Sequence, residues 1–272
     1  MKSPLTYCEH RPPIDLAPWV ACFWQITGTV TCTAPFLHRV LPDGCADLLF
    51  DLGAARSPGQ ASVELVGPMS KSQLVGLHGV IDLLGVRLRP GAIPAFVGIQ
   101  AGALLDASIP ISELPRPFRI DAVELAELAG ATTRIARLVR ECRARTDLSI
   151  TPDPIVAHSL NLWTKPNHTA APRISVLARD LGLSERAFER RFIAQVGLPP
   201  VRFRRLARFR AALRMHSRGQ RDWATIAAAV GFSDQSHLVR DWREFAGVTP
   251  TEWAASQSGR AGFVQDGDIA TQ

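Results

Sequence analysis

Between residues 176 and 250 the chain repeats itself, and few folds tolerate that. VLARDLGLSERAFERRFIAQVGLPP at 176–200 and TIAAAVGFSDQSHLVRDWREFAGVTP at 225–250 carry the same punctuation. Gly182 matches Gly231 and Ser184 matches Ser233 at an offset of 49; past the turn the offset is 50, pairing Phe188 with Leu238, Arg190 with Arg240, Phe192 with Trp242, Gly197 with Gly247 and Pro200 with Pro250. One residue has therefore been inserted after the second turn. Each copy reads as a short apolar helix ending at glycine, a G-[LF]-S turn, and a second helix opened by serine as N-cap and closed by Gly-x-x-Pro. Glycine supplies the tight turn, serine satisfies orphan amides, and Ala178, Ala227 and Ala228 let the helices cross closely, which is helix-turn-helix logic. Plain antiparallel helix packing would explain the alanines. It would not explain a polar second helix with Arg186, Glu189 and Arg190 on one face.

The charge distribution points the same way. The chain has 272 residues and a net charge of +6, yet residues 1–150 hold 14 Lys/Arg and 14 Asp/Glu and balance to zero. Residues 173–218 alone carry twelve arginines against Asp180, Glu185 and Glu189, a local net of +9 with no lysine. A surplus concentrated in one segment is the electrostatic footprint of nucleic-acid binding, although a solvated helical face would carry charge too.

On these residues, and on the phrase GFSDQSHLVRDWREFAGVTPTEW, the segment 153–256 resembles the double helix-turn-helix of the AraC/XylS family of bacterial transcription regulators. Departures are slight: Leu238 and Trp242 stand where phenylalanine is usual, and Ala254 follows Trp253 where a basic residue is common. The resemblance implies sequence-specific binding to double-stranded DNA, and contact with RNA polymerase if the protein activates. It implies a long helix joining the two units, which Pro199 to His216 can supply; at that length it spans roughly 25 Å, enough to hold two reading helices about a turn of DNA apart. It also implies that Arg186, Glu189 and Arg190 of the first unit, and Gln235, Ser236, His237, Val239 and Arg240 of the second, point at base edges. Arginine can take guanine bidentately and glutamate can accept from cytosine N4. Among the arginines of the joining helix, Arg202, Arg205 and Arg208 are expected at phosphates.

The N-terminal half has another texture. From Trp19 to about Arg89 short apolar or alternating runs (CFWQITGTVTC, RVL, ADLLFDLG, VELVG, KSQLVGL, VIDLLGVRLR) are broken by turns every eight to twelve residues, the pattern of a small barrel or sandwich. Alanine and leucine at helical spacing follow, with a long helix expected from Asp121 to Arg145, weak at Gly130, whose stripe Leu125, Leu128, Ile135, Leu138 and Val139 could pair with a second chain. PWVACFWQI, HRVLPDGCADLLFDLG, VGPM and LLGVRLRPGAIPAFVG resemble an N-terminal domain found ahead of this DNA-binding module in a subset of AraC-type regulators; in the broader family that domain senses a small molecule, mediates dimerisation, or both. The expected fold is therefore α+β: a β-rich sensor and dimerisation domain at 1–150, an all-α double helix-turn-helix at 151–256 and a loose tail at 257–272. Arg39, Asp43, Cys45, Asp47, Arg87 and Arg89, in or beside otherwise apolar strands, are the candidate effector residues. Against that stands a plainer reading: Asp43 as the turn residue of Pro42-Asp43-Gly44, and Arg87 and Arg89 both facing solvent.

Other classes fit less well. The chain contains no G-x-S-x-G, H-E-x-x-H, G-x-x-x-x-G-K-[ST] or G-x-G-x-x-G, so no enzyme and no cofactor is expected. Five cysteines spaced without a close pair speak against a metal site and a disulfide framework. A reactive thiol, Cys45 or Cys32, is the alternative sensor chemistry. The uncharged run Leu16 to Leu37 contains Pro18, Pro35 and alternating threonines, so it reads as strand instead of membrane span; the N-terminus lacks an apolar signal core, and a cytoplasmic location is expected.

Overall fold

The computed structural model describes residues 5–31, 35–53, 62–116, 118–145, 152–165 and 172–257. Residues 146–151 and 166–171, Cys32 and the tail beyond Gln257 lie outside these. The fold is mixed. Among the described residues there are eight strands, all but the last ahead of the first helix: β1 (Leu5–His10), β2 (Val20–Val30), β3 (Phe36–Val40), β4 (Ala46–Asp51), β5 (Ser62–Val66), β6 (Gln73–Leu77), β7 (Gly79–Leu88) and β8 (Ser108–Pro110). Six of them form an antiparallel sheet in the order β1-β2-β7-β4-β5-β8, and β3 with β6 forms a two-stranded ribbon. The large sheet does not close on itself, so the arrangement is two layers and not a closed barrel.

Alternation along the strands gives the large sheet two apolar faces. Phe23, Leu48, Phe50, Leu84, Val86 and Leu88 cluster with the helical segments that follow, including Ile93, Phe96, Leu125 and Leu138. Trp24, Ile26, Leu49, Ile81 and Leu83 point the other way, toward Leu77, Phe36 and Val75 of the ribbon. The Trp24 indole packs against Gly85, its direct partner across β2 and β7; a Cβ there would sit 2.2 Å from the ring.

Helices α1 (Ile93–Val97), α2 (Ala122–Glu127) and α3 (Ala131–Arg145) complete this half. The single helix expected over Asp121 to Arg145 is two helices, because Gly130 at φ 78° turns the chain. The stripe expected to meet a second chain meets this one: Leu125 and Leu138 are buried in the sheet-and-helix core, with Leu128, Ile135 and Val139 packed against it. The motive for dimerisation through that stripe is thereby removed.

The C-terminal half consists of α4 (Pro154–Thr164), α5 (Ile174–Asp180), α6 (Glu185–Val196), α7 (Pro200–Ser217), α8 (Trp223–Ala229), α9 (Gln235–Ala246) and α10 (Pro250–Gln257). Helix α7 is the shared spine. Its N-terminal Phe203 stacks among Phe192 (5.7 Å) and Trp163 (6.3 Å), and two turns on Phe209 meets Trp242 (5.1 Å) and Phe245 (5.4 Å). Leu41 and Leu105 of the N-terminal half join this second core. The two halves thus share packing as well as a chain.

Candidate nucleic-acid interface

Each repeat unit is built as its sequence dictates. In the first, Gly182 (φ 72°) turns the chain out of α5, and the Ser184 side chain accepts from the Ala187 amide to cap α6. In the second, Gly231 (φ 81°) does the same after α8, but the cap of α9 is Asp234, which accepts from the His237 amide at 2.7 Å. The caps Ser184 and Asp234 correspond at an offset of 50, so the extra residue lies in the turn before the cap, and Ser233, expected as the cap, bonds Asp234 instead.

Capping orients the apolar face of each second helix inward and leaves a polar face in water. On α6, Phe188, Phe192 and Val196 are buried while Arg186, Glu189 and Arg190 are exposed together, at spacings of three and four. On α9, Leu238, Trp242 and Phe245 are buried, and Gln235, Ser236 and Arg240 are exposed. His237 and Val239 are half-buried; the His237 Nδ1 lies 3.1 Å from Ser233 Oγ and its Nε2 3.9 Å from Asp241. Six of the eight base-reading candidates therefore face solvent fully, three on each unit.

The three arginines expected at phosphates have other partners. Arg205 donates to Asp241 at 2.7 Å and also bonds Glu244. Arg202 pairs with Glu244 at 2.8 Å and donates to the Ser70 carbonyl, and Arg208 sits 4.0 Å from Asp241 with its guanidinium over the Phe232 ring. The cause is register: Arg202, Arg205 and Arg208 recur every three residues on α7, opposite Asp241 and Glu244, themselves three apart on α9. Hydrogen bonding to Asp241 raises the Arg205 guanidinium above its already high value, against the cost of burial, whereas burial lowers that of Arg208. These residues join α7 to α9. Arginines of the C-terminal half that are exposed include Arg173, Arg179, Arg218 and Arg243.

The N-terminal candidates separate into three places. Arg87, Asp43, Asp47 and Cys45 come together. The Arg87 side chain is 2% exposed and lies 3.2 Å from Asp47, 3.5 Å from Asp43 and 3.9 Å from Glu9. Trp24 Nε1 donates to Asp47 at 2.6 Å, and Asp43 accepts from the Cys45 amide as a turn residue does. Burial opposes the Arg87 charge, but Asp47 and Asp43 outweigh it and hold the group well above its ordinary value. Arg87 therefore does not face solvent. Glu9 escaped the sequence reading because β1, six residues with no clear alternation, was not recognised as a strand.

Arg39 and Arg89 lie elsewhere. Arg39 Nη1 donates to the Ala246 carbonyl at 2.8 Å, at the C-terminal end of α9. Arg89 donates through Nε to the Ala17 carbonyl at 2.7 Å and lines a cleft of about 120 Å³ with Pro18, Gly91, Asp153, Val156 and Leu160, between the sheet and α4. Its Nη1 is buried without a hydrogen-bond partner. As for the thiols, Cys45 is fully buried and pushed up by that burial, and Cys22 is pushed up to about 12 by the same cause, so neither forms a thiolate readily. Among the described residues no group of three or more His, Cys, Asp or Glu is placed to hold a metal ion. No helix among them is long and apolar enough to cross a membrane.

Comparison with known proteins agrees with this geometry. The family described as "Helix-turn-helix domain" matches residues 177–256, and a domain of unknown function (DUF6597) matches residues 8–110. No curated protein matches the chain. Among solved structures, an AraC-type DNA-binding domain-containing transcriptional regulator from Chromobacterium violaceum is similar at 23% identity and TM-score 0.35, covering 39% of this chain and 93% of that one. The DNA-binding domain of AdpA, a global transcriptional factor solved with a target DNA, is 23% identical over 39% of this chain and 90% of its own, at TM-score 0.34. ToxT from Vibrio cholerae O395 is 13% identical over 94% of this chain and 99% of its own, at TM-score 0.43. With its two units in tandem on one spine, the segment 177–256 is a helix-turn-helix domain of the AraC type.

Proposed function

We propose that the chain regulates transcription by laying α6 and α9 into two adjacent major-groove segments of one duplex, under the control of a small effector. The observation that carries the DNA part is the pair of equivalent polar faces, Arg186, Glu189 and Arg190 on one helix and Gln235, Ser236 and Arg240 on the other, exposed while the rest of each helix is buried. Selection of bound duplexes from a random pool tests it. The expected product is two conserved boxes about one helical turn, roughly 10 base pairs, apart. Recovery of sequences with no common box would reject it.

For the effector, the cleft beside Arg89 is better supported than the Arg87 cluster. Both arginines keep a buried Nη1 without a hydrogen-bond partner, but Arg87 faces three carboxylates of its own chain, whereas Arg89 lines an open cleft whose wall is mainly apolar, with Asp153, Asn161 and Thr164 as its other polar residues. A small molecule with an apolar body and a carboxylate or similar acceptor fits that chemistry. Melting of the full chain against such compounds is the test: a ligand at a hundred times its Kd should add about 2.7 kcal/mol, and Arg89→Ala should abolish the gain.

A further inference from the structure

The C-terminal ends of α6 and α9, equivalent in the repeat, are both held by the N-terminal half. At α6 the contact is steric. Gly197, its C-cap, is so close to the Ala101 carbonyl and the Pro68 ring that a Cβ would lie 2.9 Å and 3.0 Å from them, and Gly102 is as close to Ile193. At α9 the contact is polar. The Ser72 amide donates to the Phe245 carbonyl at 2.8 Å, and Arg39 donates to the Ala246 carbonyl at 2.8 Å and to Ser72 Oγ at 3.3 Å. These carbonyls are helix-end acceptors without an intrahelical donor, and a cation beside them also meets the negative end of the helix dipole.

One piece of backbone makes both contacts. Pro68 touches the first cap and Ser72 the second, four residues on, a reach of at most about 14 Å. The piece is braced: Asp106 accepts from the Ser70 amide at 2.6 Å and donates its own amide to the Pro68 carbonyl at 2.9 Å, while Arg202 of α7 donates to the Ser70 carbonyl at 2.8 Å. Helices α6 and α9 are 12 residues each, about 18 Å, so a 10° swing about a held C-cap moves the reading end by about 3 Å, close to the rise of one base pair.

We infer that the N-terminal half is a gauge that fixes the spacing between the two DNA boxes, with the 68–72 segment as the gauge bar and Arg39 as the specificity-determining residue at α9. This rests on the two-box reading above. Random-pool selection with full-length protein separates the two: if the wild type enriches no boxes, the DNA-reading proposal fails, whereas the gauge is judged on the distance between boxes once they appear. Wild type should return one spacing. Arg39→Ala should return the same box sequences with a broadened spacing, its preference for the native spacing falling by about tenfold, the scale of one charge-assisted hydrogen bond. Arg39→Lys should restore part of it. Gly102→Val, a wedge at the α6 end, provides the second variant if Arg39→Ala melts early, and should shift the preferred spacing. A spacing as narrow as wild type in folded Arg39→Ala, or an unshifted spacing in folded Gly102→Val, would overturn the inference. So would a uniform gain in affinity at unchanged spacing, which would make the contact an autoinhibitory one.

Discussion

Arginines at positions 190 and 205 carry the same charge and are fifteen residues apart, yet one faces water from α6 and the other lies against Asp241 and Glu244. Their substitutions should therefore fail differently. Arg190→Ala and Arg240→Ala are each expected to weaken binding to the selected duplex by about 1–3 kcal/mol while sparing random DNA, as competition titrations would reveal. Arg205→Ala leaves Asp241, 2% exposed, short of its principal cation and should instead lower stability in urea melts by about 3 kcal/mol. Its salt slope for DNA should stay near that of wild type. A second residue-scale expectation concerns His216, which stacks on Trp223 at 4.5 Å. Its Nδ1 faces the Gln220 carbonyl at 3.2 Å and its Nε2 faces Arg221 at 3.0 Å, so Nδ1 carries the proton and Nε2 accepts. Burial, then Arg221, depresses its pKa. A histidine depressed in the folded state lends stability above its ordinary value of about 6.5 and loses it as pH falls through the folded value. Proton titration by NMR should place His216 below that ordinary value; a value above it would contradict the geometry.

At the scale of elements, caps and glycines decide where helices and strands begin and meet. Asp234 opens α9 in place of the serine that the repeat suggests, because the extra turn residue moves the cap position one residue on from Ser233. Asp234→Ala should cost about 1 kcal/mol and reduce DNA binding through a frayed reading end, measurable as lost protection of the His237 amide. In the large sheet, Gly85 exists to receive the Trp24 ring, and Gly85→Ala should destabilise the N-terminal half by about 1–3 kcal/mol, since a rigid indole cannot move aside as a flexible chain would. Much at this scale was legible in the sequence. The helix of α7, expected over Pro199 to His216, spans Pro200–Ser217. Periodicity could not find β1 or β8, which are short and of mixed burial, nor could it decide whether Gly130 weakens a helix or ends one.

For the whole molecule, the two halves are less separable than the expected division at residues 150 and 151 suggests. Leu41 and Leu105 belong to the C-terminal core, and the Pro42-Asp43-Gly44 turn presses on α7: at Gly44, φ 80°, a Cβ would come within 2.6 Å of the Phe203 ring. A fragment beginning at residue 152 is expected to fold with less stability than the same segment in the full chain, by at least about 2 kcal/mol for the loss of Leu41 alone. Parallel urea melts followed by tryptophan fluorescence would show it, and equal midpoints would refute it. Gly44→Ala meets both the Phe203 ring and a left-handed backbone, so it should destabilise the full chain and leave that fragment, which lacks the residue, as the reference.

The sequence by itself determined what depends on neighbours along the chain. The repeat, its glycine turns, its capped second helices and the polar faces they expose all follow from spacings of three to four residues, and they were enough to expect a double helix-turn-helix in this segment. Tertiary structure alone decided which charges remain free. Arg39 reaches a carbonyl 207 positions away, Arg202 one 132 positions away, Arg205 a carboxylate 36 away, and Arg87 partners 40 and 44 away, on Asp47 and Asp43. A guanidinium has the same pattern in sequence whether it meets a phosphate, an effector or its own fold. Only the packing of distant segments, which places an acceptor within about 3 Å or leaves water there, separates those fates.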